Sequence, residues 1–438
     1  MNQFMGKPPS TLSPFQEYFG GAKLRFLLYC HDTYGLGHIR RTLALARHFT
    51  RRIPGAEVLI ATGSPVAHSF VLPPRVDYVK LPAVTKTNAG GYRARSLDLE
   101  FDAIRDLRAA ILHETARVYQ PDVFLVDHAP QGLKGEALST LTMLKYTQPE
   151  CLRVLGLRDI VDAGPVIQKT WREEGVYQTL EDLYDLILVY GSRELFDVAE
   201  QYRLPEHMQD RIRYCGYLDR VTEASQAANT RPTAAASRRT VVLTAGGGGD
   251  GFPLMRNHLL GLQQLGIIPF ASVLLTGPLM EEAERAELHR LAASLPRGSV
   301  RIESFLPDPL PLLQSADLVV SMAGYNTVCE LLALKQRMLL VPRSVPRKEQ
   351  LVRASILERN GLAQMLAPEH LTPAALMEGI QQAFEQPRPD ERRLAGAGIS
   401  FGGLGLAGEA ILEQLYRRAV LPWSLKRSVE QVAQMGAL

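Results

Sequence analysis

Cysteine is scarce in this chain of 438 residues: Cys30, Cys151, Cys215 and Cys329 lie far apart, with no C-x-x-C pair. That spacing argues against a structural zinc and fits a reducing compartment, so a cytoplasmic location is expected. Long hydrophobic runs are missing too. Nowhere do about 18 apolar residues follow one another, which excludes a bilayer-spanning helix and leaves only peripheral attachment open. Net charge is small, since Lys plus Arg exceed Asp plus Glu by 49 − 46 = 3 and the first 219 residues carry 26 of each sign. No whole-chain field points to nucleic acid, so none is expected as a partner and any basic surface must be local. Residues 1–21 lack a charged-then-apolar signal pattern and read as a loose lead-in. What the chain has is apolar bulk: 46% hydrophobic against 22% charged is too hydrophobic for disorder. The chain is also too long for one core, so two globular domains are expected.

Short β-rich runs alternate with helical-period stretches: Lys23 to Tyr29, Glu57 to Ala61, Val76 to Lys80, Val123 to Val126, Arg153 to Gly156 and Leu186 to Tyr190. Such alternation predicts an α/β fold with a parallel sheet covered on both faces. Around Thr222 to Ser237 the composition turns to Ala, Ser and Thr, as in an interdomain linker. A second series follows: Thr240 to Leu243, Ala271 to Leu275, Val300 to Glu303, Leu318 to Ser321 and Met338 to Val341, closed by helical segments. The expected plan is a first domain at 22–221, a linker at 222–239 and a second domain at 240–438. In open parallel sheets, ligands collect at the carboxyl ends of strands.

Three stretches there carry chemistry. After the first strand comes His31-Asp32-Thr33-Tyr34-Gly35-Leu36-Gly37-His38-Ile39-Arg40-Arg41, opening the apolar-periodic helix Thr42 to Phe49. Gly35 and Gly37 permit a tight turn close to a ligand. His38, at the mouth of the helix, reads as a general base or as a capping imidazole. Arg40 stands where a dinucleotide fingerprint needs its third glycine, which disfavours nicotinamide binding. The second domain opens into Ala245-Gly246-Gly247-Gly248-Gly249-Asp250-Gly251, a loop able to wrap a phosphate with backbone amides. It lacks the Gly-Lys-Ser/Thr ending of a P-loop, which argues against triphosphate hydrolysis. Farther on, the strand Leu318 to Ser321 ends in Met322-Ala323-Gly324, and a helix is predicted from near Asn326 to about Leu334, its amino terminus aimed at an anion. Glu330 lies one turn inside, placed to accept hydrogen bonds from ribose hydroxyls. Glu349 and Gln350 follow the next strand as polar groups suited to a sugar.

These residues resemble a known pattern. Ala323-Gly324-Tyr325-Asn326-Thr327-Val328-Cys329-Glu330, the strand end Val341-Pro342, and Glu349-Gln350 are similar to the donor half of GT-B glycosyltransferases, most closely the peptidoglycan N-acetylglucosaminyltransferase type (family 28, C-terminal). Gly246 to Gly251 and Gly35, Gly37 and His38 match that type's two glycine loops, so the landmarks fall in order over about Lys23 to Ala354.

The resemblance implies two Rossmann-like domains around a cleft and an inverting transfer from a nucleotide-diphosphate sugar, a UDP-sugar by preference. Glu330 would hold the ribose, and the amides around Gly324, Asn326 and Thr327 with the loop Gly246, Gly247, Gly248 and Gly249 would hold the diphosphate. The backbone near Phe305 and Leu306 would read the base, and Glu349 with Gln350 the sugar. No cofactor is implied. Metal independence is expected, since Asp98-Leu99-Glu100, the nearest approach to D-x-D, sits in a helical-looking, solvated stretch.

His38 is the expected base, with Asp127 and Asp159 as competing carboxylates or orienting groups. His128 and Arg158 stand beside them on the acceptor side. For both carboxylates a helix cap or a buried ion pair is the competing reading. The acceptor is expected to be a saccharide or a lipid-linked saccharide. Two basic groups, Arg75, Lys80, Lys86, Arg93 and Arg95, and Arg40, Arg41, Arg47, Arg51 and Arg52, would suit peripheral contact with an anionic membrane at the inner face of the plasma membrane. They would equally suit an ordinary solvated face. Two alternatives share the architecture: a non-hydrolysing nucleotide-sugar epimerase, whose family opens with G-T-R-P-E where this chain has His31 to Gly35, and a nucleotide-binding sensor without turnover.

Overall fold

The computed structural model describes residues 23–31, 37–87, 91–218, 238–306 and 308–418. The expected lead-in, most of the linker, Gly35 and the chain after Arg418 lie outside the described residues. The first domain carries the strands β1 (Leu24–Cys30), β2 (Ala56–Thr62), β3 (Val76–Lys80), the hairpin β4 (Val84–Lys86) and β5 (Tyr92–Ala94), then β6 (Val123–Asp127), β7 (Leu152–Arg158), β8 (Leu186–Tyr190) and β9 (Ile212–Tyr214). Its main helices are α1 (Gly37–Arg52), α2 (Phe101–Tyr119), α3 (Leu138–Thr147), α4 (Gly164–Glu173) and α5 (Val176–Leu183). Seven strands form one parallel sheet in the order β3-β2-β1-β6-β7-β8-β9. Every residue of β6 and of β8 is buried, as strands covered on both faces must be.

The second domain repeats the plan with β10 (Arg239–Thr244), β11 (Phe270–Leu275), β12 (Val300–Glu303), β13 (Leu318–Ser321), β14 (Met338–Leu340) and β15 (Gln364–Met365), ordered β12-β11-β10-β13-β14-β15 and parallel throughout. Around it lie α6 (Phe252–Gln264), α7 (Glu282–Ala293), α8 (Tyr325–Ala333), α9 (Glu349–Arg359) and α10 (Pro373–Glu385). In each sheet the strand order reverses beside the first strand, and a crevice opens at that point past the carboxyl ends. β1 and β6 flank it in the first domain, and β10 and β13 in the second.

Two expectations need correction. Asp98 to Glu100 are not helical: they precede α2 as exposed coil, and Glu100 is the residue before its first turn. The chain after β10 does not stay with the second domain either. α11 (Gly403–Arg417) returns to pack on α1 and β8, after Tyr217 bridges to Phe401. The apolar stripe Leu404, Ala407, Ile411 and Leu415 is buried, and it can be buried there only because Gly403 and Gly216 let the two backbones pass closely. No helix among the described residues is long and apolar enough to cross a membrane.

Candidate functional site

On the first-domain lip, β1 and β6 deliver His31, Asp127 and His128, and the first turn of α1 delivers His38 and Arg41. Asp127 is 1% exposed and shared. One oxygen lies 2.6 Å from Nδ1 of His38, while Nε and Nη2 of Arg41 donate at 2.8 and 2.7 Å to the other. Burial alone would raise the Asp127 carboxyl, but the charge of Arg41 and the contact with His38 hold it well below the usual carboxylate range. Burial lowers His38 to about 4 against the pull of Asp127, so its imidazole is neutral at pH 7. His31 and His128 are pushed down as well, chiefly by burial. The three rings cluster with centroids 5.3, 5.4 and 5.8 Å apart. His128 sits at φ +69° and Ala323 at φ +60°, left-handed conformations that cost non-glycine residues energy and concentrate at functional turns.

The lips are joined by charge. Arg353, 1% exposed, donates through Nη2 at 2.7 Å to Asp159, 2% exposed at its side chain. Arg158 donates at 3.0 Å to Glu349. Burial would raise Glu349, but Arg158, Arg353, Arg343 and Arg347 hold it down at about 2. Tyr325, the first residue of α8, reaches into the first domain: its hydroxyl donates to the carbonyl of Tyr190 at 2.9 Å. The guanidinium carbons of Arg41 and Arg353 each lie 5.7 Å from its ring centroid. Asn326 donates to the carbonyl of Gly37 at 2.9 Å.

Against this lip stands a cleft of about 430 Å³, open to solvent and lined by Thr244, Gly246, Ser304, Phe305, Leu306, Thr327 and Glu330, with Arg40 reaching in from α1. Gly324 precedes α8 and supplies no side-chain cap, and of the helix's first turn Thr327 lines this space. Gly246, Phe305, Leu306, Thr327 and Glu330 thus line one cleft.

Other expected donor residues do not line this cleft. Gly247 accepts from the amide of Leu279, and Gly248, at φ +93°, presses against the carbonyl of Thr276, where a Cβ would come within 1.9 Å. Gly249, Gly324, Asn326, Glu349 and Gln350 stand outside it, the last accepting from the amide of Arg343. Asp159 was expected among the candidate bases; its carboxylate is instead engaged by Arg353, the amide of Ile160 and Tyr217, as a buried strut between domains. The basic group Arg40 to Arg52 is not one surface. Arg41 is buried on Asp127 and Arg40 lines the cleft, while Arg51 and Arg52 are exposed roughly 16 Å farther along the helix. Sequence reasoning missed Arg41 and Arg353. Their signals were the i, i+3 spacing of Arg41 from His38 and the i, i+4 spacing of Arg353 from Glu349. Among the described residues no three His, Cys, Asp or Glu side chains gather as a metal-binding set.

Residues 247–397 match the family described as the glycosyltransferase family 28 C-terminal domain. The second domain is of that type. A curated relative in Shouchella clausii, the UDP-N-acetylglucosamine–N-acetylmuramyl-(pentapeptide) pyrophosphoryl-undecaprenol N-acetylglucosamine transferase, is 29% identical over 219 residues, and the alignment covers 43% of this chain and 61% of the relative. The chain thus spans about three fifths of that relative's length. Among solved structures, MurG of Acinetobacter baumannii superposes with a TM-score of 0.55 at 12% identity over 89% of this chain and 99% of that one. A UDP-N-acetylglucosamine 2-epimerase described as putative, from Listeria monocytogenes, gives 0.61 at 13% over 92% and 98%. At such identities these likenesses establish the fold: the family 28 domain is the rear half of a two-domain GT-B architecture, and its cleft is the one described above.

Proposed function

We propose that the protein is an inverting glycosyltransferase that moves a sugar from a UDP-sugar to an acceptor hydroxyl in building a cell-envelope or extracellular polysaccharide or glycoconjugate. The observation that carries this reading is the cleft in which Glu330, Thr327 and Gly246 meet beside the uncapped start of α8. Glu330 accepts hydrogen bonds from the ribose hydroxyls, and the first-turn amides of α8, with the backbone at Gly246 and the cation of Arg40, hold the diphosphate. The named activity of the Shouchella clausii relative suggests UDP-N-acetylglucosamine and a lipid-linked acceptor as first candidates.

In the reaction, Nδ1–H of His38 donates to Asp127, which fixes the tautomer and leaves Nε2 as the proton acceptor. Nε2 takes the acceptor hydroxyl's proton as that oxygen bonds to the anomeric carbon, and the bond to the diphosphate breaks from the opposite face. Negative charge grows on the departing UDP. Fixed N–H dipoles stabilise it without reorganising, so turnover in EDTA belongs to the proposal. So does a place at the inner face of a cytoplasmic membrane.

The test incubates the full chain with UDP-N-acetylglucosamine, UDP-glucose and UDP-galactose, with and without lipid-linked and free saccharides. UDP release that depends on acceptor supports the reading. Epimer formed without acceptor would transfer the assignment to the epimerase class that shares the fold.

A further inference from the structure

Tyr325, Asn326 and Thr327 open α8, and successive side chains leave a helix about 100° apart. Thr327 lines the donor cleft. Tyr325 turns into the first domain, its hydroxyl on the carbonyl of Tyr190 and its ring against the Arg41 guanidinium. Asn326 stands outside the cleft. Among the described residues its side chain makes one hydrogen bond, from Nδ2 at 2.9 Å to the carbonyl of Gly37, 289 positions away.

Asparagine is a poor helix former whose side chain ordinarily serves a helix by capping it. No side chain caps α8, and this amide is spent on the other domain instead. Gly37 is the first residue of α1 and His38 the second, so the peptide that Asn326 grips is the one joining them. A Cβ on Gly37 would stand 3.4 Å from Nδ2, which shows how closely the amide lies over this backbone. His38 is thereby held from two directions: its ring by Asp127 of the first domain, at 2.6 Å, and its backbone by the second domain.

We infer that Asn326 is a positioning residue of the proposed transfer, which acts through the Gly37–His38 peptide to set the imidazole in register with the nucleotide cleft that its neighbour Thr327 lines. One turn of helix then aligns the base with the leaving group. Alignment of this kind is worth much, since a misplacement of about 1 Å from a change away from the chemistry can cost about 10²-fold in rate. The inference deepens the glycosyltransferase reading and rests on it.

The test compares Asn326→Ala with the parent in the full chain, by UDP release, by calorimetric UDP binding and by the ¹⁵N titration of His38. Alanine is the better helix former, so the fold should hold; Asn326→Ser, whose hydroxyl falls one bond short of Gly37, repeats the test. In both, kcat should fall tenfold or more while UDP affinity stays within twofold. The titration reads seating directly. Burial holds His38 at about 4, with Asp127 opposing and Arg41 and Arg158 assisting, and the His31 and His128 rings complete its surroundings. Released from Asn326, the imidazole meets water, its charged form is penalised less, and its midpoint should climb towards about 6.5, carrying the acid limb of kcat upward with it. Asp162→Ala, which removes another 2.9 Å hydrogen bond between the domains, should leave kcat within twofold and the His38 midpoint in place. An unchanged midpoint in both Asn326 variants, a loss of UDP affinity that matches the loss of kcat, or an equal loss of kcat in Asp162→Ala overturns the inference. Should the parent release UDP from no donor, the glycosyltransferase reading falls, and the midpoint alone decides whether Asn326 seats His38.

Discussion

Replacing Asp127 by Asn keeps the side chain's shape and removes its charge at the most connected point of the cleft. The carboxylate is 1% exposed and holds Arg41 by paired hydrogen bonds and His38 by a third. An amide cannot accept at all three positions, since its NH₂ must face either the guanidinium or the imidazole. Removing one partner of a buried pair costs about 3–5 kcal/mol because the other charge stays behind unpaired. For a domain of this size that corresponds to a fall in Tm of roughly 6–20 °C. If Asp127 fixes the His38 tautomer, kcat falls in addition by ~10²–10⁴ with UDP affinity retained. Arg41→Met provides the control: it breaks the same ion pair and removes the guanidinium 3.0 Å from His38 Nδ1 but keeps the Asp127 carboxylate on that nitrogen, so it should destabilise comparably and slow turnover less. The assay is UDP release with the donor that the parent turns over, together with calorimetric UDP binding. An Asp127→Asn variant that stays folded and turns over within threefold of the parent would refute both the dyad and His38 as base.

Glu330→Gln should weaken UDP by about 10–100-fold, the loss of a charge-assisted hydrogen bond of roughly 1.5–3 kcal/mol, with the fold intact by circular dichroism; calorimetry reads it directly. Stability should fall as pH drops below about 6.5. His31, His38, His128 and His258 all have folded values below their unfolded ones, so the unfolded chain binds protons first. With His38 at about 4, that one residue costs about 2 kcal/mol at pH 5, and His38→Gln should lose less Tm between pH 7.5 and 5 than the parent. Asp127 and Glu349, depressed in the fold, add a further loss only below about pH 4, their unfolded range. Gly248→Ala sets a Cβ 1.9 Å from the Thr276 carbonyl at φ +93°; the loop must move, and UDP binding should fall with Tm.

Much of the frame is written locally in the chain. Val76 to Lys80, Leu186 to Tyr190, Val300 to Glu303 and Leu318 to Ser321 are strands with the bounds that the sequence predicts: the second and fourth, buried throughout, leave a continuous apolar run, and the first and third, at sheet edges, mix apolar with charged residues. That Thr327 and Glu330 line one cleft was equally legible, because they sit within one strand–turn–helix. What stayed hidden depends on pairing across long separations. Asp159 meets Arg353 from 194 positions away and Arg41 meets Asp127 from 86, so a surface ion pair, a cap and a buried strut look alike in one dimension. The return of α11 was invisible for the same reason: its stripe says only that something covers it. The short strands β9 and β15 were missed because three and two residues are too few to show a period.

The Tyr325 ring, lodged between two arginines that each serve a different aspartate, ties the tip of the anion-facing helix mechanically to the histidine side of the crevice. Were the halves to gape, this keystone would have to be drawn out and ionised side chains now buried would meet water, so the seam resists parting.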